Sequence, residues 1–259
     1  MLGITSVQGS PLPLAQQFAA MKTAGFDAVM LWWGSSNGDT REKLVNIARD
    51  SGLYIENVHA PTEDLNVLWE DNPAGDARLN ALIEQVADCT KLGVDTIVMH
   101  LTTGSTPPPV SDVGTSRIEK LIRFAEKQKV KLAFENVRTA SHVAHVLDRF
   151  QSPYAGFCYD SGHENLWTPE TDWLSKYASR LFALHLHDNA GDRDAHMIPF
   201  DGTIDWHKKV QLIGGYTGII TLESQFHTSG LYQIDGFECY LEKAYTKANK
   251  IRSMIQAYT

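Results

Sequence analysis

Short apolar runs alternate with longer segments whose apolar residues recur at helical spacing, from one end of the chain to the other. Leu2 to Thr5 reads as a first strand, followed by a helix from about Leu12 to Thr23 that stops at Gly25. Phe26 to Trp33 is a second strand and Asp39 to Asp50 a second helix, halted at Gly52. Strands three to six are expected over Leu53 to His59, Asp95 to His100, Lys131 to Asn136 and Ala155 to Asp160. Helices from Ala74 to Lys91, Ser111 to Lys127 and Ser141 to Phe150 fall between them; in the first of these Leu79, Leu82, Ile83 and Val86 form the apolar face. A helix from about Pro169 to Ser179, with proline in its first turn, leads to a seventh strand starting at Leu181. Ile204 to Ile213, Thr217 to Glu223 and Phe237 to Ala257 complete the alternation as helix, strand and closing helix.

Eight strand–helix units without a linker predict an α/β fold, a single (β/α)8 TIM barrel domain spanning residues 1–259. A doubly wound open sheet is the alternative. The length of 259 residues suits one such barrel. Lys and Arg number 23 against 31 Asp and Glu, a net charge of −8 that argues against a nucleic-acid or membrane surface as partner. Three scattered cysteines and a start, MLGITSVQGS, without a signal-peptide pattern lead to the expectation of a cytoplasmic protein. No stretch approaches the length of a membrane span. The chain leaves room for a homo-oligomer without requiring one.

The chemistry lies where the strands end. From Leu181 to Trp206, LFALHLHDNAGDRDAHMIPFDGTIDW, an apolar strand presents Ala183, His185 and His187 on one face. It then opens into a loop carrying Asp188, Asp192, Asp194 and His196. In a parallel barrel the active site sits at the carboxyl ends of the strands. The residues predicted there are His59, His100, Glu135, Asp160 with His163 in the next turn, His185 with Asp194 and His196 in its loop, and Glu223. Five imidazoles and four carboxylates on one face need cations to neutralise them, because unpaired buried carboxylates are costly. Mixed nitrogen and oxygen donors point to a divalent transition metal, manganese or zinc, with cobalt as a third candidate.

Phe134-Glu135-Asn136, Asp160-Ser161-Gly162-His163, His185-Leu186-His187-Asp188, Asp194-Ala195-His196 and Leu222-Glu223-Ser224 resemble motifs of the xylose-isomerase-like barrel superfamily. That superfamily includes ketose 3-epimerases, inosose-processing enzymes and endonuclease IV. The resemblance implies that Glu135, Asp160, His185 and Glu223 hold one divalent ion, that Glu135 and Glu223 exchange protons with a sugar, and that His163 contacts it. The endonuclease IV pattern implies a three-zinc cluster adding His59, His100, His163, Asp194 and His196, all of which are present.

The surroundings separate the two. Endonuclease IV follows its first histidine with a Tyr-Leu wedge, whereas His59 is followed by Ala60-Pro61-Thr62-Glu63-Asp64. No basic, aromatic-interleaved stretch suits a phosphate backbone. Trp32, Trp69 and Trp167 are expected on the active face as flat walls for a sugar, while Trp33 reads as core; His187 and Arg193 join Trp32 and His163 as candidate substrate contacts. Pro199-Phe200-Asp201-Gly202 departs from a Gly-x-Gly-like turn of many relatives. The reading favoured is a metal-dependent isomerase or epimerase of a small carbohydrate, a sugar, sugar phosphate or inosose, working by proton transfer through an enediolate. An abasic-site phosphodiesterase of the endonuclease IV kind is the second reading, and a non-catalytic metal-binding barrel the third. A Schiff-base aldolase is disfavoured because Lys131 opens its strand at the wrong end. No Walker A or dinucleotide fingerprint is present.

Overall fold

The computed structural model describes residues 1–34, 40–227 and 230–258. Its strands are β1 (Leu2–Thr5), β2 (Ala28–Trp32), β3 (Tyr54–His59), β4 (Thr96–Met99), β5 (Lys131–Glu135), β6 (Ala155–Asp160), β7 (Leu181–His185) and β8 (Ile220–Leu222). The helices are α1 (Leu14–Thr23), α2 (Arg41–Asp50), α3 (Pro73–Leu92), α4 (Asp112–Gln128), α5 (Ala140–Arg149), α6 (Ser161–Trp167), α7 (Trp173–Tyr177), α8 (Trp206–Leu212) and α9 (Phe237–Gln256). All strand pairs are parallel and follow chain order, with β1 also beside β8. Beyond β7, the Leu186 N–H donates to the Thr221 carbonyl (2.9 Å) and the Glu223 N–H to the Leu186 carbonyl (3.0 Å), which brings the sheet round into a (β/α)8 barrel.

Side-chain alternation explains how this barrel presents a site. Outward residues such as Ile97, Leu132, Phe134, Phe157 and Leu184 join the large core between sheet and helices. Inward, Val98, Ala133, Cys158 and Ala183 form a small separate cluster that fills the barrel. Two residues further along the same strands, on the same face, stand His100, Glu135, Asp160 and His185. Small apolar side chains thus form the floor, and titratable ones the layer above it.

Element ends follow capping chemistry. Asn72 and Ser111 accept from the N–H groups of Gly75 (3.0 Å) and Gly114 (3.1 Å) at the starts of α3 and α4, and Gly93 ends α3 in the left-handed region at φ 63°. Thr40 caps α2; the expected first residue of that helix, Asp39, lies outside the described residues.

Two elements differ from the sequence expectation. The helix expected from Pro169 to Ser179 is replaced by α6, which begins directly at Ser161, and by the short α7 and a turn of 3-10 helix. The reason is Asp160, whose carboxylate accepts from the His163 N–H at 2.7 Å and caps a helix with no intervening loop. Strand eight is confined to Ile220–Leu222, because its ladder to β1 runs only from Leu2↔Ile220 to Ile4↔Leu222. No helix among the described residues is long and apolar enough to cross a membrane.

Candidate active site at the carboxyl ends of the strands

His59, Glu135, Asp160 and His185 are the last residues of β3, β5, β6 and β7, while His100 and Glu223 directly follow β4 and β8. His163 sits in the first turn of α6, and Asp194 and His196 in the loop after β7. All nine expected residues meet. Glu135, Asp160 and His185 have no exposed surface.

The contacts are dense. His59 Nε2 lies 3.0 Å from Glu135 Oε2, and His100 Nε2 lies 3.4 Å from the same oxygen. His163 Nδ1 is 3.2 Å from Glu135 Oε1, and His185 Nδ1 stands 3.5 Å from both Glu135 Oε2 and Glu223 Oε2. Asp194 Oδ2 is 3.5 Å from His163 Nε2 and 3.4 Å from His196 Nε2. In His59 and His196 the Nδ1–H donates to a backbone carbonyl, of Ala60 (2.8 Å) and Glu223 (2.8 Å) respectively. Each ring therefore turns Nε2 toward a carboxylate oxygen, and two lone pairs facing each other need a cation between them, a proton or a metal ion.

Orphaned buried atoms test the metal alternative. Both ring nitrogens of His185 and of His187, Glu135 Oε1, Asp160 Oδ2, Asp194 Oδ1 and Glu223 Oε2 are buried without a hydrogen-bond partner. Native interiors rarely leave such groups unsatisfied. Glu135, Asp160, His185 and Glu223 offer one ligand atom each within 4.8 Å of one another. So do four triads: His59–Glu135–His185, His100–Glu135–His163, Asp160–His163–His187 and His187–Asp194–His196. This donor set fits a borderline divalent ion such as zinc or manganese, and the imidazole share disfavours calcium.

Electrostatics set the two glutamates apart. Burial would raise the Glu135 carboxyl, but the His185 and His100 imidazoles override it and hold the group well below its ordinary range. Burial, reinforced by the charges of Glu135 and Asp160, pushes Glu223 well above it. Asp160 is lowered to about 2, where His163 and His187 outweigh its burial. Burial, helped by the neighbouring His59 and His163, drives His100 down against the pull of Glu135, whereas His163 and His196 are raised against their own burial by neighbouring carboxylates, chiefly Asp160 for His163 and Asp194 for His196.

Neighbouring residues lock this arrangement. The Asn136 side chain donates to the Asp160 carbonyl and accepts from the Asp160 N–H, both at 2.8 Å, tying the ends of β5 and β6 together. The Ser161 hydroxyl donates to the His187 carbonyl (2.7 Å) and accepts its N–H (3.0 Å). Asp188 organises the loop: its carboxylate accepts from the N–H groups of Asn189 (3.0 Å), Phe200 (2.9 Å) and Ile204 (3.2 Å) and from Trp206 Nε1 (2.7 Å). Phe200 adopts φ 75°, a left-handed conformation that glycine takes without strain. Its ring rests near Trp206 (5.7 Å) and under Lys250 Nζ (4.0 Å), so the turn closes despite the bulky side chain.

The aromatic expectations divide. Trp32 stands beside His59 with ring centres 4.9 Å apart, and Trp167 beside His163 at 4.7 Å. Trp33 is buried at 4% exposure, as expected of a core residue. Trp69 is a correction: at 2% exposure, with its Nε1–H donated to the Leu101 carbonyl (2.8 Å), it packs in the core under His142 and cannot face a sugar. Arg193 is exposed, with no ion pair among the described residues. His187 does more than a substrate contact would require, since it lies 3.1 Å from Asp160 and belongs to two of the candidate ligand groups. Its alternation with His185 was the available signal. Arg138, three residues after Glu135, also reaches the mouth, its guanidinium 4.1 Å from the centre of the Trp167 ring.

Comparisons with known proteins agree with the fold. The chain is similar over 99% of its length to L-ribulose 3-epimerase (97% of that chain, 17% identity, TM-score 0.76). It is similar over 98% to D-psicose 3-epimerase from Clostridium cellulolyticum H10, solved with D-tagatose (98% of that chain, 14% identity, TM-score 0.77). Over its full length it is similar to an IolI protein with a bound zinc atom (99% of that chain, 16% identity, TM-score 0.73). At these identities the likeness is one of fold. A stretch of 96 residues, 37% of the chain, is 40% identical to the uncharacterized protein y4fM of Sinorhizobium fredii (strain NBRC 101917 / NGR234) and spans 30% of that protein's length. The family model for the xylose isomerase-like TIM barrel matches residues 18–244, and the chain belongs to that family.

Proposed function

We propose that the protein is a divalent-metal-dependent isomerase or epimerase of a small carbohydrate, acting by proton transfer. One observation carries the reading: Glu135 and Glu223, from strands five and eight, converge on His185 with Asp160 beside them, so two carboxylates share one ligand group. Glu135, Asp160, His185 and Glu223 would hold the ion. A zinc or manganese ion there supplies Lewis acidity, which makes the hydrogen beside a sugar carbonyl acidic. Glu135 and Glu223 then take and return that proton from opposite faces of a planar enediolate of the substrate. His163 and Trp32 flank the place where a sugar would lie, Trp32 offering its flat face to C–H groups. The epimerase neighbours and the zinc-bound IolI protein support this reading of substrate class and metal. Three free cysteines fit a reducing, cytoplasmic setting.

The test is a panel of ketoses, inososes and sugar phosphates incubated with zinc- or manganese-loaded protein and with protein held in chelator. Conversion of one of them to an isomer or epimer, abolished by chelator and restored by metal, is the expected result; no conversion across the panel counts against the reading.

A second reading, a zinc phosphodiesterase acting on abasic DNA, is favoured by one observation, the overlapping ligand triads that extend from His59 and His100 to Asp194 and His196. Metal-dependent incision of an abasic-site duplex, lost in His100→Ala, would establish it. The net charge of −8 and the Ala60-Pro61 sequence after His59 stand against it.

A further inference from the structure

We infer that the mouth of the site holds a recognition pocket for an anionic group, a phosphate ester or a carboxylate, at the end of the substrate away from the reacting carbonyl. The inference rests on the isomerase reading and specifies its substrate class. A cavity of about 230 Å3 opens beside the ligand cluster, lined among others by His100, Thr102, Val137, Arg138 and Trp167. It is smaller than the ~300–1,000 Å3 of drug-sized pockets and suits one end of a small molecule.

Two independent features give this cavity an anion-binding character. The first is Arg138. Its guanidinium lies 4.1 Å from the centre of the Trp167 ring, and that ring in turn leans on His163 with centres 4.7 Å apart and planes tilted by 33°. A cation on an indole face is held in place by the ring's quadrupole. Arg138 has no ion pair among the described residues, so its forked donors are free for a ligand. A planar guanidinium matches carboxylate and phosphate oxygens with two parallel hydrogen bonds.

The second feature is Thr102, which lines the same cavity, is only 1% exposed and has an Oγ1 without a hydrogen-bond partner. A buried hydroxyl with nothing to bond is a donor waiting for an acceptor. Its loop is fixed, since Asn66 accepts from the Thr103 N–H (2.9 Å) and donates to the Thr103 carbonyl (3.0 Å). Asp194 also lines the cavity; its Oδ2 lies 3.5 Å from His163 Nε2 and 3.4 Å from His196 Nε2, and it makes no ion pair with Arg138 among the described residues. The hydroxyls of a neutral sugar can accept hydrogen bonds from both groups, but only an anion also pairs with the charge of the guanidinium.

Isothermal titration of the zinc-loaded protein with D-fructose, D-fructose 1-phosphate, D-fructose 6-phosphate and D-gluconate tests this, in the wild type and in Arg138→Gln, Arg138→Lys and Thr102→Val. The expected result is that at least one anionic compound binds about ten- to hundred-fold more tightly than D-fructose, the range of one or two charge-assisted hydrogen bonds. That ratio should fall toward one in Arg138→Gln, recover in part in Arg138→Lys, and narrow in Thr102→Val. Preference for the phosphate esters or for gluconate tells which anion the pocket takes. Equal affinity for charged and neutral compounds, no binding of any anionic compound, or a ratio untouched by Arg138→Gln overturns the inference. Binding is read apart from turnover: anion-selective binding without isomerisation removes the isomerase reading alone, and isomerisation without anion preference removes the pocket alone.

Discussion

Glu135 and Glu223, brought from strands on different sides of the barrel, reach the same nitrogen: each places Oε2 3.5 Å from His185 Nδ1. Neither Glu135 Oε1 nor Glu223 Oε2 has a hydrogen-bond partner, and both ring nitrogens of His185 are unpartnered as well. Two carboxylates this close resist being ionised together unless a cation lies between them. Under the proposed function, the same relationship would serve ion binding and proton transfer on both faces of a substrate.

Metal binding is therefore expected to be tied to folding stability. A ligand that binds only the folded state at 100 times its Kd adds about 2.7 kcal/mol. For a chain of this size that is roughly 5–10 °C in melting temperature. Zinc or manganese should raise the melting temperature of chelator-treated protein by about that amount, and Asp160→Asn combined with His185→Ala should abolish the rise. A melting curve indifferent to both metals would remove the ion from the site.

His187 owes its position to a glycine. A Cβ at Gly162 would come within 1.9 Å of His187 Cε1 and 2.5 Å of its Nε2, so the imidazole occupies space that only glycine leaves. Gly162→Ala is expected to push the ring away from Asp160 and weaken metal binding by about ten- to hundred-fold, with circular dichroism unchanged. Unaltered metal affinity in this variant would show that His187 is not needed by any bound ion.

Beneath the site, Glu56 faces Thr221, whose hydroxyl donates to its Oε2, while Oε1 is sealed without a partner. Burial raises this carboxyl from 4.5 to about 8, against the smaller opposing effect of the Thr221 hydrogen bond. A raised folded-state pKa means that Glu56 contributes stability in full below pH 4.5 and loses it as the pH climbs through about 8. Glu56→Gln has no such loss. Urea denaturation should show the variant gaining on the wild type between pH 5 and pH 9, by on the order of a few kcal/mol. A stability difference independent of pH would mean that Glu56 titrates normally.

How far the sequence could be read depended on how local each cause was. The eight strands were legible because both faces of each are buried, which leaves continuous apolar runs such as Thr96–Met99 ending in a titratable residue. His59, Glu135, Asp160 and His185 were legible as strand-end departures from that run. Asp160 as the cap of α6 was also written locally, in Asp160-Ser161-Gly162-His163, but Pro169 offered a competing helix start and drew the expected helix eight residues downstream. Trp69 could not be assigned, because its burial depends on Leu101 and His142, distant in the chain. The contact of His187 with Asp160 likewise needs β6 beside β7, a pairing that no local pattern states. Phe200 at positive φ is held by Asp188, twelve residues earlier, and nothing in a phenylalanine announces it.

The central claim is proton transfer to and from a sugar by Glu135 and Glu223, and solvent deuterium tests it most directly. Zinc- or manganese-loaded protein, incubated in deuterated water with the carbohydrate it converts, is followed by proton NMR at the carbon next to the carbonyl. The account predicts that deuterium enters that position in a metal-dependent manner. Glu135→Gln and Glu223→Gln should each lower the rate by roughly two to four orders of magnitude, the usual share of general acid–base catalysis. Turnover with the substrate hydrogen fully retained over many cycles would contradict it, because a migrating hydride never passes through a carboxylate.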